Sequence, residues 1–175
     1  PSIGWLGSWG MASSAPDKDY AHTVAAKLAL PFAATNQAWL EMDPATHMGD
    51  IATATAGITP RTIVVLQLGD NVSGEPQTIA AFQPAYRALL KASAGHALYC
   101  ISTWWKNAAK DAMMRAECEA VGGRWVDIGD LHTSASNTDN ARVWFDDPGV
   151  DAHPHDWGMS QIAARVLAAI TSSSP

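Results

Sequence analysis

The chain reads as an α/β protein, a three-layer α/β/α sandwich in which helices cover both faces of a parallel sheet. Apolar, β-branched runs, clearest in Thr62-Ile63-Val64-Val65-Leu66-Gln67-Leu68, take turns with stretches whose apolar residues recur at helical spacing. Glycine or proline marks most of the changeovers. Parallel neighbouring strands need a crossover long enough to hold a helix, so this alternation predicts the doubly wound class. At 175 residues the chain suits one domain with a full core and is too short for two.

Taken in order, residues 19–30 predict a helix, because Tyr20, Val24 and Leu28 fall on one face and Asp17 or Asp19 can complement its N-terminus. Pro31 stops it. Phe32-Ala33-Ala34-Thr35 is then expected as a short buried strand, followed by a loop over 36–44 and a helix over 48–58. Residues 62–68 give the clearest strand, bounded by Pro60 and Gly69. Residues 76–94 predict a long amphipathic helix with Ile79, Phe82, Tyr86, Leu89 and Leu90 on one side and Pro84 as a bend. A strand over 97–103, a helix over 107–121 closed by Gly122-Gly123, and a last short strand over 124–128 follow. A turn-rich connection over 129–152 leads to a terminal helix over 156–170 and a flexible tail over 171–175.

The N-terminus departs from this scheme. A doubly wound fold starts on a central buried strand, whereas only the Gly- and Trp-rich residues 1–16 precede the first helix. Ser2-Ile3-Gly4-Trp5-Leu6 is short and carries glycine at its middle, which weakens a strand. The expectation is one domain over residues 1–175 lacking its first strand.

Composition narrows the function. A net charge of -6, with 11 Lys and Arg and no basic run, argues against a nucleic-acid partner. No stretch reaches the roughly 18 uncharged apolar residues of a membrane span, so a soluble protein is expected. Cys100 and Cys118 match no zinc spacing and do not fix the redox compartment. No signal peptide is visible, but the chain begins at Pro1 rather than Met, so localisation stays open, an extracytoplasmic one included. The oligomeric state is not legible, and no cofactor is implied.

In a doubly wound sheet the working residues lie beyond the carboxyl ends of the strands. Asn71, in Gly69-Asp70-Asn71 after the clearest strand, Trp104 after the next, and His153, in Asp151-Ala152-His153-Pro154 before the terminal helix, fall on that edge. Acyl transfer needs a nucleophile, an imidazole base and donors aimed at the developing oxyanion. His153 suits the base and Asn71 the donor, and the two are expected to face one cleft. Each segment also has a plainer use: Gly-Asp-Asn is a good strand-ending turn, and His-Pro can cap a helix. Trp104-Trp105 could stack on a sugar ring or acyl group, although core packing accounts for most of the 8 tryptophans.

Gly69-Asp70-Asn71 resembles the Gly-x-Asn block of the SGNH (GDSL-type) hydrolases, and Asp151-Ala152-His153-Pro154, continued by Gly158-Met159 and Ile162-Ala163, resembles their last block. The stretch from Ile3 through Gly7-Ser8-Trp9-Gly10-Met11-Ala12-Ser13-Ser14 to Asp19-Tyr20 is similar to one bacterial subgroup, so the likeness runs over most of the chain. It implies a flavodoxin-like topology and a serine-dependent carboxylesterase or acetylesterase acting on a small-molecule or glycan ester. It also implies Asn71 as oxyanion donor, His153 as catalytic base and Asp151 as its acid. The family's carboxylate stands three residues before the histidine, where this chain has Val150, so Asp146, Asp147 or a backbone carbonyl compete with Asp151 for that role. The nucleophile's Gly-Asn-Ser or Gly-Asp-Ser block is absent from the chain. The serine is therefore expected upstream of Pro1, with the 175-residue chain inactive alone, and Ser8 is the in-chain alternative. Ser13 and Ser14 read as helix-start residues. For the third oxyanion donor, Asn36, Glu41 and Gly49 are at hand without a clear match.

Two rivals stand beside this reading. One is a degenerate, non-catalytic domain that binds a glycan or a protein through its Trp-rich edge. The other is a metal-dependent phosphoesterase, prompted by His153-Pro154-His155-Asp156 and Asp70-Asn71, although His22, His47, His96 and His132 are scattered elsewhere.

Overall fold

A computed structural model describes residues 9–138 and 147–172. Its helices are α1 (Tyr20–Leu28), α2 (Trp39–Met42), α3 (Pro44–His47), α4 (Ile51–Thr55), α5 (Pro76–Ala92), α6 (Ala108–Ala120), α7 (Ala135–Thr138), α8 (Pro148–Asp151) and α9 (Asp156–Thr171). Its strands are β1 (Ile63–Gln67), β2 (Ala97–Ile101) and β3 (Arg124–Val126). The chain divides into two compact units, one formed by Pro1–Ala33 with Ile128–Pro175 and the other by Ala34–Asp127.

The central unit, Ala34–Asp127, holds the sheet. The β-branched residues after Pro60 make β1, which pairs in parallel with β2 from Ile63 opposite Ala97 to Gln67 opposite Ile101. β2 pairs in parallel with β3, Tyr99 lying opposite Arg124 and Ile101 opposite Val126. The order is β1-β2-β3, so the expected α/β class with a parallel sheet holds. α5 connects β1 to β2 and α6 connects β2 to β3, the helical crossovers that parallel pairing requires. α5 buries Phe82, Tyr86, Leu89 and Leu90 in one cluster with Val64, Leu98, Cys100, Met114 and Cys118. It runs unbroken through Pro84. α6 begins where the Asn107 side chain accepts the Lys110 N–H at 3.0 Å, an N-cap that satisfies one of the helix's orphan donors. The two cysteines, one on β2 and one on α6, form a disulfide closing 18 residues of chain.

The terminal unit is helical among the described residues. Asp19 caps α1 by accepting the His22 N–H at 2.8 Å, and Ala29 ends the helix in a left-handed conformation with φ of 54°. α1 packs on α9, whose buried face carries Met159, Ile162, Ala163, Val166 and Ile170. Gly158 allows α9 to lie directly on α7, because a Cβ there would come within 2.3 Å of the Asn137 carbonyl oxygen.

Several expectations need correction. Phe32-Ala33-Ala34-Thr35 is not a strand; all four residues are exposed, and the Phe32 ring lies 4.3 Å from the His22 ring instead of in a sheet. Among the described residues, no strand pairs with the apolar run after Pro31. The expected loop over 36–44 contains α2, and the helix expected over 48–58 is a 3-10 turn, Met48–Asp50, followed by the short α4. The candidate strand at Ile3 to Leu6 lies outside the described residues, as does most of the expected tail.

Candidate functional site

The turn after β1 is the most heavily tied polar segment of the central unit. β1 ends at Gln67, and Gly69 takes a positive φ of 106°, a conformation that favours glycine. A side chain there would also meet the Met114 Sδ at 2.8 Å. The Val72 N–H closes the turn on the Gly69 carbonyl at 3.1 Å. The buried Lys110 reaches in from α6, and its Nζ donates to the carbonyls of both Gly69 and Val72 at 2.6 Å. Desolvation lowers the Lys110 pKa, partly countered by Asp70, Asp111 and Glu41.

The side chains of the turn are equally committed. Asp70 accepts the Trp104 N–H at 2.8 Å and the Trp105 N–H at 3.4 Å, which ties the carboxyl end of β1 to that of β2. Burial pushes the Asp70 pKa up to about 6, with Glu41 adding to the rise and the backbone donors and Lys110 opposing it. Asn71, itself exposed, donates from Nδ2 to Glu41 Oε2 at 2.5 Å. The other Glu41 oxygen accepts the Gly69 N–H. Trp104 is fully buried, whereas Trp105 is 37% exposed. The expectation that Asn71 and Trp104 share the carboxyl edge of the sheet therefore holds, and Trp104 serves packing.

His153 lies in the terminal unit, between α8 and α9. Its Nδ1 is 2.7 Å from the Gly149 carbonyl oxygen, and its backbone N–H donates to Val150 O at 3.0 Å. A carbonyl only accepts, so Nδ1 carries the proton and the neutral ring has its lone pair on Nε2. Desolvation lowers the His153 pKa, opposed by the backbone bonds to Gly149 and Val150. Asp151 places a carboxylate oxygen 3.8 Å from His155 Nε2. Asp147 caps α8 by accepting the Gly149 N–H at 2.7 Å, and Asp146 lies outside the described residues. Of the four orienting groups named for the imidazole, the backbone carbonyl is the one on Nδ1 among the described residues.

Ser8 lies outside the described residues. Ser13 is buried, with its hydroxyl on the Gly10 carbonyl at 3.0 Å. Ser14 donates both its N–H and its hydroxyl to Asp156, at 2.8 and 2.6 Å, in the first turn of α9. Among the described residues no group of three or more His, Cys, Asp and Glu is placed to hold a metal ion, and no helix is long and apolar enough to cross a membrane.

Sequence reasoning missed two residues. Glu41 was visible only as a carboxylate in the right stretch, and it proves to be an acceptor rather than a third donor. Lys110 gives no signal, because its partners are backbone carbonyls and any sequence supplies those. Comparison of the chain with protein-family models, curated proteins and solved structures yields no match.

Proposed function

We propose that the chain is a serine-dependent ester hydrolase of SGNH-like topology, with His153 as general base and Asn71 as an oxyanion donor. The observation that carries this reading is the Nδ1 bond of His153 to the Gly149 carbonyl, which selects the tautomer a base needs. A depressed pKa supports it further, because the imidazole is then neutral at pH 7. Asn71 fits the donor role because a carboxamide at a strand's carboxyl end keeps an N–H beyond the one given to Glu41.

In the reaction the serine hydroxyl attacks the acyl carbonyl and its proton passes to His153 Nε2. The tetrahedral oxygen takes up negative charge and accepts the Asn71 N–H. Collapse releases the alcohol, which regains the proton from His153, and water repeats the sequence on the acyl-enzyme to release the acid. Orientation of the imidazole falls to the Gly149 carbonyl, whereas the Asp151 carboxylate at the end of α8 lies 3.8 Å from His155 Nε2.

The test uses the full-length gene product with short-chain p-nitrophenyl esters. His153→Ala should leave only a small residual turnover, and Asn71→Ala should lower kcat by about 100-fold with little change in KM. kcat/KM should rise through an apparent pKa below 6.5, because desolvation holds the His153 imidazole neutral. Labelling with a fluorophosphonate, followed by peptide mapping, identifies the serine. Wild-type turnover in the histidine variant, or activity that needs added Zn or Mn, would overturn the reading.

A further inference from the structure

A carboxamide is nearly symmetric in shape, so only its partners decide whether the nitrogen or the oxygen end faces a reacting group. An oxyanion site works with the nitrogen end alone, since the oxygen end would repel the developing charge. Asn71 meets a carboxylate, which in its ionised form accepts and never donates. That carboxylate cannot swivel, because its second oxygen holds the Gly69 N–H and Glu41 is only 7% exposed. Its neighbour on α2, Leu40, is buried in the core and anchors the short helix. Lys110, two carbonyl bonds deep in the same turn, places a positive charge beside the carboxylates of the cluster.

We propose that Glu41 is a positioning residue for ester hydrolysis: its two oxygens lock the Gly69 backbone and the Asn71 carboxamide together, so that Asn71 presents only N–H to the substrate oxygen. The inference rests on the ester-hydrolase reading and adds to it the device that makes Asn71 a preorganised donor. One Nδ2 hydrogen is spent on Glu41, and the second is fixed in the plane of the amide. Without the carboxylate, a flip about the last side-chain torsion would exchange donor for acceptor at little cost, and the donor would be correctly set for only part of the time.

Glu41→Gln keeps the volume but must turn its own NH2 towards either the Gly69 N–H or the Asn71 amide, and Glu41→Asp keeps the charge but shortens the reach. Both variants, Asn71→Ala and the Glu41→Gln/Asn71→Ala pair are assayed for kcat and KM in the full-length protein. The Asn71 side-chain amide is followed by 1H–15N NMR. Glu41→Gln should lower kcat by about 30- to 100-fold with KM within about threefold, should shift the Asn71 amide pair, and should cost nothing further once Asn71 is alanine. Should Glu41→Gln fail to fold, Glu41→Asp carries the same comparison. Equal loss with and without Asn71, or an unmoved Asn71 amide signal, would show a merely structural role and overturn the proposal. Activity lost in Asn71→Ala but retained in Glu41→Gln overturns this inference alone, whereas full activity in Asn71→Ala overturns the oxyanion assignment and the inference with it.

Discussion

Asp70 shows how a single residue trades stability for geometry. Its carboxylate joins two strand ends through the Trp104 and Trp105 N–H groups, yet burial raises its pKa to about 6. The native state therefore binds a proton that the unfolded state, with an ordinary pKa near 3.8, has already released. Between about pH 4 and 6 the folded protein holds more protons, so stability falls as pH rises through that window and levels off above it. The full difference is on the order of 3 kcal/mol. Asp70→Asn keeps an acceptor for the backbone donors and removes the titration. Urea midpoints measured from pH 4 to 7 should show the wild type losing ground to Asp70→Asn as pH rises. A gap that stays constant with pH would mean that Asp70 is not desolvated as described.

Among the elements, the disulfide carries the clearest consequence. Cys100 on β2 and Cys118 on α6 are both fully buried and pin a crossover helix to its strand. Closing an 18-residue span removes freedom from the unfolded chain worth about 3 kcal/mol in the loop-entropy picture. The paired Cys100→Ala and Cys118→Ala variant should lose about that much in urea unfolding and should match the reduced wild type. A thiol assay on the denatured, unreduced protein should find no free thiol. Two titrating thiols, or an unchanged midpoint, would contradict the bond.

The sequence announced α1, α5, α6 and α9 through periodicity and through caps such as Asp19 and Asn107, and β1 through its β-branched run. These are local signals, and local physics decides them. The disulfide was not legible because pairing depends on where β2 and α6 meet. Residues 32–35 misled for a related reason: an apolar run looks like a strand whether or not a partner exists to bury it. Asn71 and His153 stood out in the sequence as polar types after a strand and before a helix, and those local placements hold. Their partners, Glu41 in one case and the Gly149 carbonyl in the other, belong to a helix of four residues and to the backbone, and only the fold decides which of the candidates each one meets.

On the scale of the whole molecule, the proposed hydrolase reading gives Asn71 and His153 complementary parts in one reaction. That pairing has a kinetic consequence. An oxyanion donor lowers the barrier of the step in which the serine attacks, and His153 makes that step accessible by taking the serine proton. Once the base is gone, the residual reaction follows another route, in which the oxygen's charge and the donor's contribution differ. Removing both groups should then cost more than His153→Ala alone, because part of the residual rate comes from the oxyanion donor, yet well short of the product of the two single losses. The double variant His153→Ala/Asn71→Ala, compared with each single variant by kcat/KM on one p-nitrophenyl ester, measures that coupling. Losses that multiply would mean that the two residues act independently, and they would remove the reason for placing Asn71 and His153 in one mechanism.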